Sequence, residues 1–191
     1  MEHRIIISGS GGQGVLFGGI LIARAAMIEG RYVTSFPSYG AEIRGGAAMS
    51  SVVISDEPIG SPVIKTPDSL IILNDVSFRK FVPLATEKTI IILNDSIIKS
   101  LDSALPPNYY PISASDISMR KIGDVRTANV VMAGYWAKIL SSVKKSSQEK
   151  KNPPLRIESL EAACLAVSKT PEGGSLNKKA LYEGYNYNGK I

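Results

Sequence analysis

The sequence predicts an α/β fold: a mostly parallel sheet with helices on both faces, in a Rossmann-like three-layer sandwich. Three observations predict it. Short β-branched runs such as Ile5-Ile6-Ile7 and Val52-Val53-Ile54 are bounded by glycine and polar turn formers, the pattern of buried strands. Stretches with helical spacing of apolar residues alternate with them. The first run passes through a glycine-rich turn into a helix, within about 35 residues of a second run, which is a βαβ pattern.

Taken in order, Arg4 to Ser8 reads as a strand and Gly9 to Gly14 as the glycine turn. Val15 to Ile28 reads as a helix with Leu16, Ile20, Ala23 and Met27 on one face and Gly30 as its stop. Tyr32 to Phe36 is a strand expected to end at Pro37. Ser38 to Gly46 is a turn-rich loop, and Ala47 to Ser55 a strand. Ser69 to Leu73 and Thr89 to Leu93 are buried strands, each followed by Asn-Asp, which puts turn formers at the strand's carboxyl end. Two tripeptides leave open whether this echo is a repeat. Tyr109 to Ile112 is a strand and Ala128 to Val143 a helix. Asn152-Pro153-Pro154 is a break, after which Ile157, Leu160, Cys164 and Val167 follow helical spacing. Thr170 to Ser175 is expected as a turn and Leu176 to Tyr185 as a final helix.

The 191 residues, 44% hydrophobic and 20% charged, suit one globular domain with a core. The low aromatic content, 7%, argues against a nucleic-acid binder that stacks bases. The net charge of +5 is concentrated between Lys138 and Lys151, where five lysines face one acid. Such a strip is a solvated loop or a dock for an acidic partner or polyphosphate. The single cysteine, Cys164, excludes an intrachain disulfide and an iron–sulfur cluster held by this chain alone. It lies on an apolar stripe and reads as core. The single histidine, His3, beside the amino terminus, makes a Ser-His-Asp triad improbable. No apolar run is long enough to span a bilayer, and no signal peptide is legible, so a cytoplasmic location is expected.

Gly9, Gly11 and Gly14 satisfy G-x-G-x-x-G in the right context, after a strand and before a helix. With Gly12 and Gln13 they form a candidate phosphate-binding turn at a helix N-terminus. A dinucleotide site also needs an acid at the end of the second strand, where this chain has Ser35-Phe36-Pro37. A turn that only packs helix on strand is the competing reading. Glu42 and Arg44, beside Tyr39 in Y-G-A-E-I-R-G-G, are either a surface ion pair or a pair facing a pocket or partner. Asn129, inside a helix of small residues, caps that helix or satisfies a buried backbone group.

These residues resemble the gamma subunit of 2-oxoacid:ferredoxin oxidoreductases. The resemblance rests on G-S-G-G-Q-G-V (9–15), A-R-A-A-M-I-E-G-R-Y-V-T (23–34), S-Y-G-A-E-I-R-G-G (38–46), D-E-P-I-G-S-P-V (56–63), T-A-N-V-V-M-A-G (127–134) and N-K-K-A-L-Y-E-G-Y (177–185), in matching order. The S-Y-G-A-E-I-R-G-G form is more similar to the 2-oxoglutarate branch than to the pyruvate branch. The Lys-rich 144–151 segment belongs to none of these motifs.

The resemblance implies a complex that oxidatively decarboxylates a 2-oxoacid to an acyl-CoA and reduces ferredoxin, using thiamine diphosphate, Mg²⁺ and iron–sulfur clusters. Alpha and beta subunits would hold the thiamine cofactor, and a ferredoxin-like delta subunit could supply clusters. This chain, lacking a G-D-G…N-N pattern and cluster cysteines, would be structural. Alone it would be inactive and prone to self-association. It would help bind CoA, with Gly9, Gly11, Gly12, Gln13 and Gly14 meeting a phosphate. Neither a nucleic acid nor a membrane is implied. The alternatives are a stand-alone NAD(P)-binding reductase and a ligand-free scaffold.

Overall fold

A computed structural model describes residues 2–39, 47–99, 107–143 and 155–189. The Lys-rich segment 144–151 lies outside them. The chain runs β1 (Glu2–Gly9), α1 (Val15–Ile28), β2 (Tyr32–Tyr39), β3 (Ala48–Ser55), β4 (Ser69–Ile72), α2 (Asp75–Phe81), β5 (Ile90–Asn94), β6 (Tyr109–Ile112), α3 (Ala114–Ile117), α4 (Ala128–Ser142), α5 (Ile157–Val167) and α6 (Pro171–Tyr185). The six strands form one sheet in the order β2-β3-β1-β4-β5-β6. From β1 through β4 and β5 to β6 every pair is parallel; β3 is antiparallel to both β1 and β2. The expected βαβ unit is therefore split: β3 is inserted between β1 and β2.

One face of the sheet carries α1, α4, α5 and α6 over Ile5, Ile7, Val52, Ile54, Ile71 and Ile92. The other carries α2, with Phe78, Phe81 and Val82 over Ile6, Leu70, Ile72 and Ile91. Alternate residues of each strand thus serve alternate cores, which is why these strands read as unbroken apolar runs. Cys164 is fully buried in the larger core, and burial pushes its thiol up to about 12. Among the described residues no helix is long and apolar enough to cross a membrane.

Four expectations are corrected. On α1, Ala23 is buried and Leu16 packs on the core, but Ile20 and Met27 are exposed. The helix buries Gly18, Gly19, Ile22 and Ala26 instead, because it lies so close to β3 that a Cβ at Gly19 would stand 2.8 Å from the Ser50 Cβ. Next, β2 does not stop at Pro37 but runs through it, paired with Ser50, to Tyr39. A border strand tolerates proline when its missing N–H faces outward. Thr170 to Ser175 is not a turn. Thr170 caps α6 by accepting from Gly173 N–H at 3.1 Å, and Pro171 opens the helix, as proline favours. Finally, α2 begins straight after β4, where a turn was expected; Asn74 caps it by accepting from Ser77 N–H at 2.9 Å.

Helices α4 and α6 touch backbone to backbone. A Cβ at Gly184 would overlap the Val131 carbonyl, 2.7 Å from its carbon, and one at Gly134 would overlap the Leu181 carbonyl in the same way. The contact fixes where the first turn of α6 stands relative to α4.

Candidate functional site

The carboxyl ends of β1, β4 and β5 lie side by side, and polar residues follow each: the glycine turn after β1, the Asn74 cap of α2 after β4 and Asp95 after β5. After β1 the chain crosses to the face holding α1; after β4 it crosses to the opposite face, holding α2. The crevice between β1 and β4 is therefore the topological switch point, where open α/β sheets receive ligands. The glycine turn stands at its lip.

The predicted turn residues do different jobs. Gly9 is demanded by packing: a Cβ there would lie 2.7 Å from Gln13 Oε1 and 3.0 Å from Leu73 Cβ. Gly14 is demanded twice, by φ of 71° and by Asn129, whose Nδ2 would stand 2.6 Å from an added Cβ. Gly12 has φ of 88°, which suits glycine, yet a Cβ there would meet nothing within 4 Å among the described residues. Gly11 has neither constraint. Its φ is not positive, and a Cβ there would meet nothing within 4 Å among the described residues. Gln13 turns inward: its Oε1 accepts from Ser10 N–H at 2.7 Å and from Asn74 Nδ2 at 3.2 Å.

Asn129 is 3% exposed and donates from Nδ2 at 2.7 Å to the part-buried carbonyl of Gly14, which also accepts from Gly18 N–H at 2.9 Å. The Asn-Asp echo also acquires a meaning. Asn74 holds the turn after β1 and the start of α2; Asn94, one strand over, accepts from Ser115 N–H at 3.3 Å and donates to Ser115 Oγ at 2.9 Å. Each ties the end of its strand to a neighbouring turn or helix.

Beside the turn opens a cavity of about 390 Å³ lined by Gly12, Gly14, Phe17, Arg126, Asn129 and Gly173, among others. Residues from the N-terminal ends of α1, α4 and α6 line it together. The first turn of a helix presents N–H groups without intrahelical partners and about half a positive charge. No side chain caps α1 or α4. Arg126 adds less than its charge suggests. Asp124 grips its guanidinium at 2.7–3.0 Å, which raises the Arg126 pKa and holds the Asp124 carboxyl below its usual range. The attraction for an anion here rests mainly on the helix ends.

The backbone of Tyr39 pairs with Ala48, which pairs in turn with Gly9, so Tyr39 shares the sheet end of the glycine turn. Glu42 and Arg44 lie outside the described residues. His3, read as terminal, is buried at the other end of β1. Its Nε2 is 3.0 Å from Ser69 Oγ, which also accepts from Trp136 Nε1–H at 3.0 Å. Asn74 was missed as a site residue; its signal was an Asn immediately after a strand with Ser77 three residues on.

Comparison with known proteins agrees with this architecture. The family description "Pyruvate ferredoxin/flavodoxin oxidoreductase" matches residues 4–187. The chain is 41% identical over 133 residues to ketoisovalerate oxidoreductase subunit VorA of Methanothermobacter thermautotrophicus, a match over 70% of this chain but 27% of that protein. It is 33% identical over 154 residues to 2-oxoglutarate synthase subunit KorC of Methanocaldococcus jannaschii, covering 78% of this chain and 81% of that one. Among solved structures, the gamma subunit of keto/oxoacid ferredoxin oxidoreductase from Geobacter sulfurreducens superposes with a TM-score of 0.79 at 25% identity, over 97% of this chain and 95% of that chain. With the family match spanning nearly every residue and a gamma subunit sharing the fold end to end, the chain belongs to the pyruvate ferredoxin/flavodoxin oxidoreductase family, as a homologue of its gamma subunits.

Proposed function

We propose that this chain is the gamma subunit of a cytoplasmic 2-oxoacid:ferredoxin oxidoreductase complex that converts a 2-oxoacid to an acyl-CoA, and that its glycine turn receives a phosphate of CoA. The substrate we favour is 2-oxoglutarate, supported by the Tyr39–Gly46 loop pattern and by the KorC relative's coverage. The higher identity to VorA supports ketoisovalerate as a second reading. Thiamine diphosphate with Mg²⁺ supplies the carbanion chemistry in such complexes, and iron–sulfur clusters carry the electrons. One buried cysteine does not fit cluster ligation, and the described residues hold no metal-binding group of acids, His and Cys. Those groups belong to alpha, beta and ferredoxin-like delta partners, with ferredoxin as acceptor. Tyr39, Glu42 and Arg44 are proposed to face a partner or the pocket.

The observation that carries the CoA reading is Gly11. Packing explains Gly9 and Gly14, and backbone conformation suits Gly12, but nothing among the described residues requires position 11 to lack a side chain. A bare backbone there lets a pyrophosphate approach the turn's amides and the uncapped end of α1. Gly11→Val tests it without backbone strain. In the assembled enzyme it should raise KM for CoA while leaving KM for the 2-oxoacid unchanged. Equal effects on both substrates, or none on either, would favour the ligand-free scaffold.

A further inference from the structure

We infer that Gln13 and Asn74 are positioning residues that clamp the glycine turn across the switch point, keeping its outward amides arranged for a CoA phosphate; this rests on the CoA reading above. The clamp is a closed set of hydrogen bonds between the turn after β1 and the residue that caps α2 after β4. Asn74, 8% exposed, cannot flip its amide. Its Oδ1 is committed to Ser77 N–H at 2.9 Å, so Nδ2 must face the glycine turn, where it donates to Ser10 Oγ at 2.5 Å and Gln13 Oε1 at 3.2 Å. Gln13 Oε1 then satisfies Ser10 N–H at 2.7 Å. Ser10 and Gln13 are thereby engaged inward, while a Cβ at Gly11 or Gly12 would meet nothing within 4 Å among the described residues.

The clamp is needed because of the glycines. A turn holding Gly11, Gly12 and Gly14 has more conformational freedom than any other composition would give. If it sampled many shapes, its apparent affinity would fall by the fraction of time spent in the binding shape. The turn is anchored at its two ends, by β1 and by α1, and the residues between are free of both. The Asn74 amide, reaching across from the link after β4, restrains that middle part directly.

Asn74→Asp separates the clamp from the helix cap. Aspartate still accepts from Ser77 N–H and is an equally good cap, but it cannot donate to Ser10 or Gln13. Gln13→Ala removes the other half. The complex is assembled with each variant, and with Gly11→Val as reference, and KM for CoA, KM for the 2-oxoacid and kcat are measured. Both clamp variants should raise KM for CoA about tenfold, the worth of one well-made hydrogen bond. KM for the 2-oxoacid and kcat should stay within about twofold on the same scale. Amide exchange should quicken at Ser10, whose N–H the Gln13 side chain holds in the parent, with α2 still protected. If α2 loses protection in Asn74→Asp, the cap has failed and Gln13→Ala alone decides. An unchanged KM for CoA in the clamp variants, with Gly11→Val raising it, overturns the clamp and leaves the CoA reading standing. No change in any of the three overturns both.

Discussion

Glycine-to-alanine substitution should have opposite signs at two helical positions of this protein. In a helix interior, alanine is favoured over glycine by about 1 kcal/mol. At Gly184 that gain meets a backbone wall. A Cβ would overlap the Val131 carbonyl and stand 2.7 Å from its carbon and 3.0 Å from Tyr135 N. Carbon atoms in comfortable contact are about 3.5–4.0 Å apart, so α4 and α6 would have to separate by roughly 1 Å. Neither helix can turn its backbone aside. Overpacking of this kind sits at the upper end of its range, about 3 kcal/mol. Net of propensity, Gly184→Ala should cost about 2 kcal/mol and lower Tm by about 4–8 °C. At Gly18 the same methyl would touch Ile7 Cδ1 at 3.5 Å, an ordinary contact. There Gly18→Ala should be neutral or should stabilise by up to about 1 kcal/mol. Calorimetric melting of the two variants in parallel is the assay. A Gly184→Ala protein that melts no earlier than the parent, or a Gly18→Ala protein that falls as far, refutes the reasoning.

Two further outcomes follow from buried or coupled side chains. Cys164, with its thiol pushed up to about 12 by burial and by the charge of Glu161, should resist alkylation at about pH 8 in the native chain and react readily in denaturant. Native reactivity equal to that of the unfolded chain would contradict its core placement. Glu161 is held below its ordinary value of 4.5, first by Lys178 at 2.5 Å and then by the Tyr182 hydroxyl at 2.5 Å. Its folded-state pKa is depressed, so its contribution is present above about pH 4.5 and lost as pH falls through the lower folded value. Tyr182 shows the opposite sign. Raised to about 12 by the same carboxylate, it contributes below pH 10.0 and loses that contribution as pH rises towards 12. Glu161→Gln should therefore flatten both limbs of a plot of Tm against pH; an unaltered plot would show that the α5–α6 network is not coupled to folding.

Much of the architecture was legible because buried parallel strands leave a strong mark. Ile5-Ile6-Ile7 and Ile90 to Leu93 serve two cores at once, and no surface helix has that composition. The insertion of β3 between β1 and β2 was not legible, since strand order depends on pairings far apart in sequence. The burial of α1 was misjudged because its close approach to β3 is made by Gly19, a residue that carries no hydrophobic signal. At the site, G-S-G-G-Q-G located the turn correctly. The pattern could not tell that Gly9 and Gly14 serve packing while Gly11 does not, because that difference lies in what each position faces. Nor could it pair Gln13 with Asn74 across 61 residues, or Gly14 with Asn129 across 115.

Those separations have a consequence for synthesis. The glycine turn leaves the ribosome ahead of Asn74 and Asn129, and β1 has no sheet neighbour until β3 and β4 have followed it. Asn74 follows Gln13 by 61 residues, Asn129 follows Gly14 by 115, and the cavity wall at Gly173 comes later still. Contacts at such range form late and slow the search for the native state. A nascent chain that stops short of Asn129 would thus display an unformed glycine loop rather than the folded turn. The folded shape of the turn marks a chain that extends past Gly173, so a partner that recognised that shape would pass over shorter ones.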